Sequence, residues 1–425
     1  MPASSIPTTR TTSASGTWQS LYTVPYALCL STGKSKHLKN LLYLSTRFLA
    51  HRSFSCYANA IKEIPIHERG IAMLNIGLIG AGSISKYHLK AYAANEDCRV
   101  AAIADLNLGL AEERAKEFNI PTAVADYQEI LADPHIDAVS IVTPTFTHKR
   151  IVIDALRAGK HVLCEKPPAM NAAETRECVE AAREAGKLLM FALVCRFRPQ
   201  MQYAKKFISD GKMGRILTAD AARLIRCDAA EGWMLSRAKG GGPLRDAVIH
   251  ELDAMLWLMG YPKPRIALGM TSDVGKDLPK KLGGEKKGWK TADLDYGNVR
   301  DVENVATGYV LFENGASMQV KVSTILHTVS KGVYIELSGE NAGIRMEPGS
   351  ADKKLVILDR DEAECFRESS PELPATDNFN SEITHFIDCC LGKTECLCRP
   401  EEAVALMEII DAIYLSADTG KPVIF

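Results

Sequence analysis

The chain has 425 residues, 46% apolar and 24% charged, with a formal net charge of -1. That length accommodates two domains of ordinary size, and the near-neutral balance excludes the basic surface of a nucleic-acid or anionic-membrane binder and the acidic tail of a disordered one. No run of about 18 uninterrupted apolar residues is present, so no membrane-spanning helix is expected.

Residues 1–72 stand apart. No acidic residue precedes Glu63, Ser, Thr and Leu abound, and Arg10, Arg47 and Arg52 are dispersed. That composition reads either as a mitochondrial transit peptide or as translated upstream sequence with Met73 as the true start. The strand-like run directly after Met73 favours the second reading. So does Glu68-Arg69-Gly70, which a purine-rich stretch resembling a bacterial ribosome-binding site can encode. The second reading implies a cytoplasmic protein, the first a mitochondrial one.

From Leu74, short apolar runs alternate with amphipathic stretches. The runs are Leu74–Ile79, Val100–Ala104, Ala138–Val142, Val162–Cys164 and Leu188–Leu193. Unbroken runs of about five apolar residues suit strands buried on both faces, and the amphipathic stretches, such as Leu108–Phe118 and Lys149–Ala158, suit crossover helices of a parallel sheet. Asn171 to Glu174 resembles a capping box opening another helix. After Pro199 the pattern changes. Helices are expected over Gln200–Asp210 and Pro243–Met259, with Gly260 as a stop. Strands are expected over Val305–Phe312, Ala316–Val322 and Val333–Leu337, with Asn314-Gly315 a hairpin signal between the first two. Gly275–Arg300 reads as a long loop. Two helices, Phe379–Leu391 and Pro400–Ala417, close the chain before Gly420. The expected class is α/β: a Rossmann domain over 73–194, then an α/β domain over 195–425 built on an open, mostly antiparallel sheet.

The chemistry-bearing motifs sit at strand ends. Gly80-Ala81-Gly82-Ser83-Ile84-Ser85 follows the first strand and opens a helix; Gly80 permits the tight turn, and Gly82 lets backbone approach a pyrophosphate at the helix N-terminus. Asp105 ends the second strand 20 residues after Ser85, placed to accept hydrogen bonds from a ribose diol. No Arg or Lys between Ile103 and Glu113 awaits a 2′-phosphate, which favours NAD over NADP. Thr143-Pro144-Thr145 follows the fourth strand, its backbone and Thr145 placed to line the nicotinamide or ribose side; His148, three residues on, joins them or is an ordinary first-turn helix residue. Glu165-Lys166-Pro167 follows the fifth. Its lysine can hold a substrate oxygen and relay a proton, its Lys-Pro bond is a candidate for the cis form, and its bland reading is a surface lysine before a turn. Asp246 and His250 stand four apart, on one face of a continuous helix, as an acid/base pairing or as a cap and a core histidine. Trp233, Arg237 and Lys239 are candidates for hydroxyl contacts. The 12 cysteines are scattered, many within apolar runs. Cys389, Cys390, Cys396 and Cys398 cluster without a C-x-x-C pair, so no zinc site is expected.

Taken together, these motifs resemble the glucose–fructose oxidoreductase / inositol dehydrogenase / MocA (Gfo/Idh/MocA) family across nearly all of residues 73–425. Arg196-Phe197-x-Pro199, Gly241-Gly242 and Tyr414-x-Ser416 add to the match. The resemblance implies reversible oxidation of a secondary alcohol on a sugar, cyclitol or related polyol, with hydride passing to nicotinamide. It implies Lys166 at the reacting oxygen and assisting proton transfer, His250 as acid/base and Asp246 orienting or polarising it; relatives differ in whether the lysine or the histidine is the final base, and the resemblance leaves that choice open. It also implies cofactor contacts from Gly80, Gly82, Ser83, Ile84, Asp105, Thr143, Pro144, Thr145, His148, Glu165, Lys166 and Arg196, and a homodimer or homotetramer. Other relatives use NAD transiently on glycosides, and a non-catalytic NAD(P)-binding regulator is a further alternative. No metal, nucleic acid or membrane enters this reading. A chain starting at Met73 is expected to fold and be active; loss of soluble protein on removing residues 1–72 would contradict that.

Overall fold

The computed structural model describes residues 73–225, 232–273, 301–325, 332–347, 355–361 and 363–425. Residues 1–72 and the expected loop Gly275–Arg300 lie outside the described residues.

The unbroken apolar runs form β1 (Leu74–Ile79), β2 (Cys98–Ala104), β3 (Thr122–Val124), β4 (Ala138–Ile141), β5 (His161–Glu165) and β6 (Leu189–Ala192). They make a six-stranded parallel sheet in the order β3-β2-β1-β4-β5-β6. All four residues of β4 are buried, as a strand covered on both faces requires. The crossovers are α1 (Ser85–Ala93), α2 (Leu108–Phe118), α3 (Tyr127–Ala132), α4 (His148–Arg157) and α5 (Ala172–Ala185). Helix α2 starts because the Asn107 side chain accepts the Leu110 amide, and stops where Asn119 turns left-handed. At α5 the Asn171 side chain accepts the Glu174 amide, and the Glu174 carboxylate reaches back to the Met170 amide at 3.3 Å, one residue before the cap. The order reverses between β1 and β4, which opens a crevice at the carboxyl ends of the strands. Strand β3 escaped the sequence reading because it is a three-residue edge strand with no fully buried position.

The second half begins with α6 (Pro199–Ser209) and β7 (Ile216–Leu224), then α7 (Ile249–Met259), β8 (Pro264–Ser272), β9 (Val305–Phe312), β10 (Ser317–Ser323), β11 (Gly332–Gly339), β12 (Gly343–Met346), β13 (Leu355–Arg360) and β14 (Phe366–Ser369). It ends with α8 (Asn378–Cys390), α9 (Pro400–Thr419) and β15 (Val423–Ile424). The nine strands run β14-β13-β12-β11-β7-β10-β9-β8-β15. Every pairing is antiparallel except β7 with β10. The Asn314-Gly315 hairpin joins β9 to β10. Helices α7 and α9 pack on one face of this sheet. Leu268, Met270, Tyr309 and Leu358 stay exposed on the strands.

The expected single helix Pro243–Met259 is two elements. A π turn covers Pro243–Ala247, with the Val248 amide bonded to Pro243 O, and α7 starts afresh at Ile249. Asp246 and His250 therefore do not lie on one continuous helical face.

Arg196 is also corrected. It lies in the short 3-10 turn after β6 and is fully buried. Nε donates to Asp253 Oδ2 at 3.0 Å. Nη2 donates to Asp253 Oδ1 at 2.6 Å and to the Tyr261 hydroxyl at 2.9 Å. Nη1 donates to Leu397 O at 3.0 Å and to Glu402. A guanidinium has five N–H groups, and all five are engaged inside the protein, so none is left for a cofactor. Arg196→Met leaves the buried Asp253 carboxylate without its cation, while Glu402 keeps Arg399, and should destabilise the fold by about 3–5 kcal/mol in denaturant titration, with the NADH affinity of the folded fraction unchanged. Normal stability with lost NADH binding would restore the cofactor role.

Candidate active site

The glycine turn comes first. Gly80 adopts φ 106°, and a Cβ there would lie 2.7 Å from Val142 O, so both the conformation and the space demand glycine. The Asp105 carboxylate braces this turn: Oδ2 accepts the Ala81 amide at 2.8 Å and Oδ1 the Asn107 amide at 2.9 Å. A Cβ at Gly82 would meet no protein atom within 4 Å, so backbone there is open to approach. Ser83 and Ile84 lead into α1, which has no side-chain cap and no acidic residue in its first turn. Ser85 closes it by donating to Gly82 O at 2.6 Å. An uncapped helix start beside open glycine backbone suits a pyrophosphate, and a strand-end carboxylate suits a ribose.

Behind this turn lies a buried relay that no sequence pattern announced. His88 is fully buried, with Nδ1 2.9 Å from Ser140 Oγ and Nε2 3.0 Å from Glu165 Oε1. Glu165 Oε2 accepts the Lys166 amide at 3.0 Å. Glu165 is thus turned inward to fix the end of β5 and is 8% exposed. The only hint in sequence is His88 beside Leu89 and Tyr92 on the inward-facing stripe of α1.

The loop after β4 is clamped to the loop after β5. His148 Nε2 lies 2.8 Å from Thr143 O, and Nδ1 lies 2.8 Å from Pro167 O. Burial holds this imidazole below its ordinary pKa. Thr147 bonds both the Thr143 hydroxyl and Pro144 O, each at 2.7 Å. The Thr145 hydroxyl is buried and has no hydrogen-bond partner among the described residues. The Lys166–Pro167 peptide is cis.

Lys166 crosses from the parallel sheet to the second half of the chain. Its Nζ lies 2.9 Å from both Asp246 O and Asp246 Oδ1. No hydrogen bond joins Asp246 to His250 among the described residues, so the expected carboxylate–imidazole pair is replaced by a carboxylate–ammonium pair. His250 sits in the first turn of α7, and its Nδ1 is buried with no hydrogen-bond partner among the described residues. Burial first, then the charges of Lys166, Arg223 and Arg198, hold the ring well below its ordinary pKa. Arg223 on β7 is itself paired with Glu251 of α7, with Nη2 to Oε1 at 2.6 Å and Nε to Oε2 at 3.1 Å.

The Gly240–Gly242 loop is held by a residue the sequence reading passed over. Gly242 adopts φ 111°, and a Cβ would come within 2.9 Å of both Glu303 carboxylate oxygens and the Tyr414 hydroxyl. Glu303 Oε1 accepts the Leu244 amide at 3.0 Å and the Tyr414 hydroxyl at 2.8 Å. Burial pushes this carboxyl above its usual range. Gly240 lies against Thr145. Arg237, expected at substrate hydroxyls, is instead paired with Asp418 of α9 at 3.0 Å, and its guanidinium stacks 4.7 Å from the Tyr414 ring. Trp233 and Lys239 are half-buried in the 3-10 turns before the loop.

Away from the cleft, His385, Cys389 and Cys396 converge, with Cys389 Sγ 3.4 Å from His385 Nε2. His385 Nε2 already accepts the Leu397 amide at 2.8 Å, and burial pushes the Cys389 thiol up to about 12. The cluster is thereby bonded internally and its thiol held protonated. Among the described residues no helix is long and apolar enough to cross a membrane.

Residues 74–193 match an oxidoreductase family described as having an NAD-binding Rossmann fold, and residues 205–425 match the C-terminal alpha/beta domain of the same family. The chain is 28% identical to D-glucoside 3-dehydrogenase of Escherichia coli, over 82% of this chain and 97% of the relative. It is 30% identical to levoglucosan dehydrogenase of Pseudarthrobacter phenanthrenivorans, over 68% and 78%. The solved structure of a levoglucosan dehydrogenase in complex with NADH superposes with a TM-score of 0.70 at 25% identity, covering 83% of this chain and 98% of that one.

The enclosure of His250 has a measurable consequence. Its folded-state pKa is depressed, so below about pH 6.5 the unfolded chain takes up a proton that the folded chain refuses, and stability falls as pH drops. Nitrogen-15 NMR should find the His250 ring neutral at neutral pH and still neutral well below its ordinary pKa. A ring protonated at pH 6.5 or above would contradict the geometry.

Proposed function

The chain belongs to the Gfo/Idh/MocA oxidoreductase family, and from that premise we propose that it is an NAD-dependent dehydrogenase of a secondary alcohol on a sugar, cyclitol or related polyol. The observation that carries this reading is the ion pair of Lys166, on the carboxyl edge of the parallel sheet, with Asp246, in the turn that leads into the helix bearing His250. Residues 73–194 are read as the cofactor domain and 195–425 as the substrate and oligomerisation domain.

The glycine turn fits a dinucleotide. Gly80, Gly82, Ser83 and Ile84 would hold the pyrophosphate, and Asp105 the ribose. Thr143, Pro144, Thr145 and His148 would line the nicotinamide side, where the buried, unpartnered Thr145 hydroxyl offers a donor. A strand-end carboxylate repels a 2′-phosphate, which favours NAD over NADP. When bound, NAD supplies the hydride acceptor.

The protein's own residues handle position and proton. Two contacts to Asp246 orient the Lys166 ammonium, leaving N–H capacity for the carbinol oxygen, where positive charge stabilises developing alkoxide. His250 is held neutral, so Nε2 can take the hydroxyl proton. Asp246 acts on Lys166, not on His250. The exposed apolar residues Leu268, Met270, Tyr309 and Leu358 on the second sheet support a homodimer or homotetramer built on that face. The absence of strong net charge and the lack of a disulfide among the described cysteines suit a reducing, cytoplasmic setting.

The test is NADH formation from a panel of sugars, inositols and glycosides with NAD or NADP. NAD-dependent oxidation of one class is expected. Lys166→Met and His250→Gln should each lower kcat by about 10²–10⁴-fold with NADH binding kept. Wild-type turnover in both variants would overturn the assignment. Product formation from glycosides without NADH release would move it to a transient-redox enzyme.

A further inference from the structure

Helix α1 does two things at once. Its first turn closes on the glycine backbone, where the Ser85 amide and hydroxyl both donate to Gly82 O, at 3.2 and 2.6 Å. One turn on stands His88, whose amide is bonded to Ile84 O at 3.4 Å. Its ring leaves the helix and spans two neighbouring strands of the parallel sheet. Nδ1 lies 2.9 Å from Ser140 Oγ on β4, and Nε2 lies 3.0 Å from Glu165 Oε1 at the end of β5. His88 and Ser140 are fully enclosed, and Phe379 of α8 covers the imidazole with ring centroids 6.0 Å apart.

Glu165 uses its other oxygen to accept the Lys166 amide at 3.0 Å. A carboxylate only accepts, so Nε2 is the donor to it. Apolar side chains of similar shape in place of a buried polar group of this kind are often neutral or stabilising, so stability alone does not account for the trio. What it supplies is a fixed distance. Glu165 is tied to α1 and to the Lys166 backbone at once, and the Lys166 side chain starts from that backbone. A group acting at the reacting atoms must be held within about 0.5 Å of its productive position, and a displacement of about 1 Å costs on the order of 10²-fold in rate. The seat read as that of the pyrophosphate and the lysine are therefore referred to one rigid element, helix α1.

We propose that His88 is a positioning residue for hydride transfer: through Glu165 it fixes the Lys166 backbone to the helix that receives the cofactor, so that the lysine is placed relative to the nucleotide as well as to its own strand. The proposal rests on the reading of Lys166 as the residue at the reacting oxygen. It assigns His88 no contact with cofactor or substrate and no proton transfer.

Two amide side chains separate the two bonds of the ring. In His88→Gln the amide group falls near the place of Nε2 and keeps the bond to Glu165; in His88→Asn it falls near the place of Nδ1 and keeps only the bond to Ser140. The full-length protein is assayed with NAD and the panel of sugars, inositols and glycosides, D-glucose, myo-inositol and methyl β-D-glucoside among them, and amide hydrogen exchange is followed at Lys166. His88→Asn should lower kcat by about 10–100-fold, with substrate KM and NADH affinity changed less than about threefold. Exchange at the Lys166 amide should quicken by about tenfold or more. His88→Gln should recover most of both losses. A role confined to holding the core together predicts the same behaviour for the two variants, since each keeps one bond and loses one. Equal kcat and equal Lys166 exchange in the two would overturn the proposal. If His88→Asn does not fold, Glu165→Gln, which leaves one acceptor oxygen for two donors, should show the same two changes, and wild-type values there would also overturn it. Exchange that quickens in His88→Asn and is restored in His88→Gln, with no NADH formed from any member of the panel, keeps the His88 link and sinks the dehydrogenase. NADH formation that is alike in the wild type and both variants does the reverse.

Discussion

A single buried cation organises the meeting of the two halves. Arg196 leaves the last parallel strand and is enclosed by Asp253 from α7, Glu402 from α9, and the carbonyl of Leu397. A desolvated guanidinium tolerates almost no displacement of its acceptors, because each lost bond exposes a charge to a medium that cannot solvate it. The first residues of α7 are therefore held at a defined distance from the exits of β5 and β6. His250 is near the start of that helix, and Lys166 lies just beyond the end of β5. The juxtaposition that makes chemistry conceivable is inherited from a residue that touches neither cofactor nor substrate.

The same logic runs through the site. Polar side chains that look catalytic by type act largely on one another: Ser140 on His88, His88 on Glu165, Glu165 on the Lys166 backbone, and Glu303 on the glycine loop and Tyr414. Each is buried and bonded, the condition under which a polar group can sit inside a protein without heavy cost. What they produce is orientation of the few groups left incompletely bonded at the cleft, His250 and Thr145 among them.

Legibility followed the physics of burial. Strands covered on both faces wrote unbroken apolar runs, so β1, β2, β4, β5 and β6 were readable to within two residues at each end. Strands of the mixed sheet with one open face wrote weaker patterns. Strand β7, with only small alanines at its buried centre, and the short strands β12 to β14 were missed. The positions of the glycine turn, Asp105 and Lys166 at strand ends were legible because motifs tie them there. Arg196 was misread because a cation in a motif looks the same whether its partner is a ligand or a carboxylate about two hundred residues away. Asp246 and His250 were paired by counting along an assumed α-helix, and the π turn at Pro243–Ala247 defeats that count. Ser140 and Glu303 leave no periodic trace, and His88 leaves only its place on the buried stripe of α1, since tertiary contact alone reveals their role.

The Tyr414–Glu303–Leu244 chain of hydrogen bonds carries a genetic consequence. The final long helix contributes no reacting group, yet it fastens the backbone that presents Asp246 to Lys166. Inactivating lesions collected in a blind screen would therefore scatter over the last tenth of the polypeptide as well as the motif-bearing strand ends, and an investigator mapping them on the linear chain would see two unrelated hot regions where the folded protein has one.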